Sequence, residues 1–124
     1  MDASSPVTGG ELNAALTSAL VGIHNEYLGR GPRGAYTFYH DNVVVTIMHD
    51  VITLAEKRLD AAGDGHAVSS TRVLFQKAMR PEFTAAVQRL TGRRVIAFVS
   101  GNDLDADVAV ETFILDGPPG AGAV

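Results

Sequence analysis

Two histidine–aspartate pairs, His40-Asp41 and His49-Asp50, set an imidazole beside a carboxylate. That pairing can orient a general base or tune its pKa. In an extended strand, however, neighbouring side chains point to opposite faces, so adjacency alone does not make a dyad. The plainer reading is turn and edge-strand histidines. Upstream, Gly29-Arg30-Gly31-Pro32-Arg33-Gly34 spells the letters of a dinucleotide fingerprint. The fingerprint works only after a strand and at the start of a helix, where amides and dipole meet pyrophosphate. Here it closes a helix and opens a strand, which is a helix stop followed by a turn. Arg30 and Arg33 can still grip a small carboxylate or bicarbonate-like anion, with His40 and Asp41 as further candidate ligands.

Asp103, Asp105 and Asp107 alternate as at the start of a calcium loop, but the pattern then fails. An EF-hand needs Gly at its sixth position and Glu at its twelfth, where this chain has Val108 and Ile114. A solvated turn is the simpler account. Glu111 stands among Val110 and Phe113, and if its face is buried it calls for a structural ion pair with Arg72, Arg93 or Arg94. Arg72 is the expected partner. No nucleophile elbow, P-loop or zinc signature is present, and no metal or other cofactor is expected.

These groups must be positioned by a single domain. The chain has 124 residues, 46% hydrophobic and 19% charged, enough for a folded core. Ten basic against fourteen acidic residues give a net charge of -4, which argues against nucleic acid as the main partner. Cysteine is absent, so there is no disulfide framework or thiolate chemistry. No run approaches the roughly 18–20 apolar residues of a membrane span. A cytoplasmic location is expected.

The expected order is α-β-β-α-α-β-β. Residues 1–8 and 117–124 read as flexible tails around one α+β domain over 9–116. Thr8 and Glu11 form a capping box for a first helix whose apolar stripe runs from Leu12 to Tyr27. Ala35 to Asp50 reads as a β-hairpin turning at Asp41-Asn42. A two-residue turn sets Phe38 against Val45, Tyr36 against Ile47 and His40 against Val43, giving one greasy face. The other face, Thr37 with Thr46 and Tyr39 with Val44, is left for solvent or a partner. A second helix, capped by Asp50, ends at Gly63, and from about Ala67 to Leu90 runs either one long helix kinked at Pro81, the favoured reading, or two helices with Pro81 near the start of the second. Arg94 to Ser100 is so apolar that it reads as a central strand, and Asp107 to Leu115 as its hairpin partner. The whole is an antiparallel sheet of about four strands, in two hairpins, covered on one face by helices.

The ordered set of Gly29 to Pro32, His40-Asp41 before Val43 to Val45, Arg72 with Phe75, Leu90 to Arg93, Val95, Ala97-Phe98, Ser100, Glu111, Phe113 and Leu115 resembles the MpsC-like family. This is a bacterial domain of unknown function, and the resemblance covers roughly residues 11–116. The family name comes from a membrane-potential-generating system with cation- or bicarbonate-linked transport components. The resemblance therefore implies a non-enzymatic accessory protein with a membrane-transport partner. Where members carry a histidine after the serine matching Ser100, this chain has Asp103, and no catalytic set carries over. Three readings follow: an interaction module working as a homodimer, a small-anion sensor using Arg30, Arg33 and His40, and an enzyme using His40, Asp41 and Glu111.

Overall fold

The computed structural model describes residues 9–120. Helix α1 spans Gly9–Leu28 and buries Leu12, Leu16, Leu20 and His24 on one stripe. The expected cap at Thr8 lies outside the described residues. The helix ends as its sequence requires: Gly29 takes φ 77° and its N–H closes on the Asn25 carbonyl at 2.8 Å.

Strands β1 (Gly34–His40) and β2 (Val43–His49) form the expected hairpin in the expected register, with Phe38 opposite Val45. Asp41 carries the positive φ of the turn, 55°. The faces are reversed from expectation. Thr46 and Val44 are fully buried, whereas Tyr36 and Phe38 stay 50% and 44% exposed. Two paired hydroxyls make this possible. Thr37 and Thr46 share a hydrogen bond of 2.8 Å, and Thr17 of α1 donates to Thr37 at 2.8 Å. Burying the threonines therefore leaves no orphaned group, and it carries Val44 and Met48 into the core with Phe113 and Ala109 of the next strand.

Asp50 does not cap a helix. It turns the chain at φ 59°, and Val51 and Ile52 drop into the core. Helix α2 (Leu54–Leu59) starts instead at Thr53, where a full capping box pairs Thr53 with Glu56. A π-type turn over Asp60–Asp64, with Gly63 at φ 92°, leads into helix α3 (Gly65–Thr91). This helix runs unbroken through Pro81, which lies exposed between the buried Met79 and Phe83. Packing on either side holds the turn whose hydrogen bond proline removes.

Strand β3 (Val95–Asp103) and strand β4 (Val108–Leu115) complete an antiparallel sheet of order β1-β2-β4-β3. Strand β3 was expected at the centre for its apolar run, but it is an edge. Ile96 and Val99 are 59% and 66% exposed, and β4 takes the interior. Helices α1 and α3 pack on one face of the sheet and on each other. Between the layers, Phe98 stacks on Phe113 with centroids 4.6 Å apart, and Phe83 meets Phe98 edge-on. No described helix is long and apolar enough to cross a membrane.

Candidate functional site

The face of the sheet away from the helices carries nothing from the described chain. Alternation along each strand puts Tyr36 and Phe38, Val45 and Ile47, Val110 and Thr112, and Ala97 and Val99 on it. The cross-strand register lines these up in rows, Phe38 to Val45 to Thr112 to Val99 being one. None of the eight is charged. Four strands about 4.8 Å apart and about seven residues long make a face of roughly 450 Å² in projection. That lies within the ~300–600 Å² of the largest apolar patch on a typical monomer, a patch that is often functional.

The inner face hides a polar row. Thr37, Thr46, Glu111 and Ser100 stand opposite one another across all four strands. Glu111 is 2% exposed, its Oε1 has no hydrogen-bond partner, and the Ser100 hydroxyl has none either. Burial pushes the Glu111 carboxyl up to about 7, with the Ser100 hydroxyl beside it pulling slightly the other way. The expected ion pair between Glu111 and Arg72 does not form. Arg72 gives its guanidinium to Glu56, at 2.6 and 2.7 Å, and to the Val51 carbonyl at 2.6 Å. Burial raises the Glu56 carboxyl, but the bonds from Arg72 and Thr53 outweigh it and hold Glu56 below its ordinary value. Arg93 turns to the Pro118 carbonyl, and Arg94 is exposed.

Around this pair lies a latch on residues 50–53. Arg30 donates to the carbonyls of Ile52 and Asp50, at 3.0 and 2.9 Å, and Asp107 accepts from the N–H groups of Val51 and Ile52. His24 is buried nearby, and burial together with the Arg72 charge lowers its pKa to about 4. Arg30 is thus committed to backbone. Arg33 is exposed, 3.6 Å from Asp50. His40 and Asp41 are also exposed, at the other end of β1 from Arg33. Seven strand residues separate the two groups by roughly 20 Å. One anion could not touch all four. Asp103 accepts from the Ala106 N–H in the turn it was expected to make, and no group of described side chains is arranged to hold a metal.

A groove that the sequence did not announce runs between α3 and the free edge of β3. Its widest part encloses about 360 Å³ and is lined by Val73, Gln76, Lys77, Arg80, Phe98, Val99 and Ser100. It continues past Asn102 and Leu104 at one end and past Thr84 and Ile96 at the other. Arg80 lies 5.0 Å over the Phe98 ring, and Gln76 donates to Asn102 at 2.8 Å. The helical spacing of Val73, Gln76, Lys77 and Arg80 was the one available signal, since it puts them on one side of α3.

No curated protein and no solved structure matches the chain. A family model described as "Na+-translocating membrane potential-generating system (MpsC)" matches residues 8–117. That span takes in every element described above, and the chain belongs to the MpsC family.

Proposed function

We propose that this chain is a non-enzymatic accessory or regulatory module of the membrane system for which its family is named, working through protein–protein contacts as a homodimer in the cytoplasm. The observation that carries the reading is the uncovered sheet face, apolar through its middle rows, with His40, His49 and Asp103 only at its ends. Roughly 450 Å² in projection, before side-chain relief is counted, is half or more of the ~800 Å² each partner buries in a standard interface. A second copy suits it because two such faces stack about 10 Å apart with their middle rows interdigitated, and those rows bring no charge to bury. The exposed Tyr36 and Phe38 supply the aromatic anchors that such interfaces favour. A sensor built from Arg30, Arg33, His40 and Asp41 has no comparable support, because those groups are dispersed.

The chain has no cysteine, so a single introduced one reports its own neighbourhood. Thr112→Cys, near the middle of the face, should be joined to its copy by a short bis-maleimide, whose spacer suits faces about 10 Å apart. Ala85→Cys, exposed on α3, should not. Equal cross-linking at both positions would reject the sheet face as the interface.

A further inference from the structure

We propose that the groove between α3 and β3 binds an extended acidic segment of a partner protein, which joins the sheet as a fifth strand beside β3. This rests on the interaction-module reading but uses a different surface.

Strand β3 is nine residues long and lies at the edge of the sheet; a bulge at Ile96 interrupts its start, but from Ala97 to Asp103 it pairs regularly and carries no lysine or proline to blunt it. Such an edge offers a row of unpaired backbone donors and acceptors, a ready template for strand addition. A strand docked there would alternate its side chains. One set would continue the apolar outer face beside Val99. The other would point into the groove, towards Gln76, Lys77 and Arg80. Among the residues lining the groove and its two extensions none is Asp or Glu, in a chain whose net charge is -4. Arg72 also borders one extension, but Glu56 already holds it. Lys77 and Arg80 are exposed, and neither enters an ion pair among the described residues. The complement is a segment that alternates acidic and apolar residues.

The test uses the full chain and a fluorescein-labelled eight-residue peptide alternating glutamate and valine, with its glutamine isostere as control. Anisotropy titration should give saturable binding of the acidic peptide, at least tenfold tighter than the isostere. Lys77→Glu combined with Arg80→Glu should weaken it at least tenfold, and Lys77→Glu alone, which leaves Arg80 over the Phe98 ring, should weaken it in the same direction, with the helical signal of both variants that of wild type. Bound peptide should slow amide exchange along β3 but not along β1. No binding, binding indifferent to the double substitution, or protection of β1 instead would overturn the proposal. So would competition by free citrate at concentrations equal to the peptide's, which would mean a small-anion site. β3 amides already protected without peptide would mean edge-to-edge pairing of two copies. Val45→Lys, which should break the face-to-face dimer, should leave peptide binding unchanged, so each surface can fail alone.

Discussion

Glu111 and His24 are both 2% exposed, and their effects on stability oppose each other. Burial raises Glu111 from 4.5 to about 7, so the folded protein holds a proton that the unfolded chain has released. Its contribution is complete below about pH 4.5 and is lost as pH climbs through 7. His24 falls from 6.5 to about 4, so it is the unfolded chain that holds the extra proton between those values. Stability from that source rises with pH across the same range. At about 1.4 kcal/mol per unit, each effect comes to about 3 kcal/mol. Wild-type stability should therefore change little between pH 4.5 and 6.5. Glu111→Gln removes one side of the balance. Urea unfolding of wild type and variant, compared at each pH, isolates the carboxyl. The variant should gain on wild type by about 3 kcal/mol between pH 4.5 and 8, and its own curve should rise with pH. A difference that stays flat across that range would refute a buried, protonated Glu111.

Other substitutions test the packing directly. Arg72→Met removes the buried guanidinium that ties Glu56 to the Val51 carbonyl and should cost about 2 kcal/mol, read by urea unfolding at pH 7. A Glu56→Gln, Arg72→Met double variant should cost less than the sum of its single changes. Phe113→Ala removes a fully buried ring stacked on Phe98 and should cost about 3–5 kcal/mol. Thr53→Ala removes half the capping box of α2 and should cost about 1 kcal/mol, with exchange rising first in α2.

The hairpin was legible down to its register, because a two-residue turn between strand-forming runs permits little else. Which of its faces lies inside was not. Tyr36, Phe38 and Ile47 look like core residues until Thr17 of α1 is known to satisfy the threonines on the other side, 20 residues away in sequence. The apolar run of β3 misled in the same way. Val99 and Ile96 are apolar at an exposed edge, and composition cannot separate a strand buried by its own domain from one awaiting a partner. The Thr53 to Glu56 cap was written in the chain as a T-x-x-E signature, and Asp50 was the wrong choice beside it. Arg72 was expected to pair with Glu111, but its partner is Glu56 of α2, which no strand pattern could indicate. The groove joins residues of α3 to an edge strand more than fifteen residues further on. Only the fold brings them together.

The sheet-face dimer is decided most directly by light scattering coupled to gel filtration, on wild type and on Val45→Lys. Wild type should show a mass about twice the 13.0 kDa of one chain, and the variant a single-chain mass with its helical signal intact. A wild-type mass of one chain at every concentration, or a dimer that survives the lysine, would contradict it.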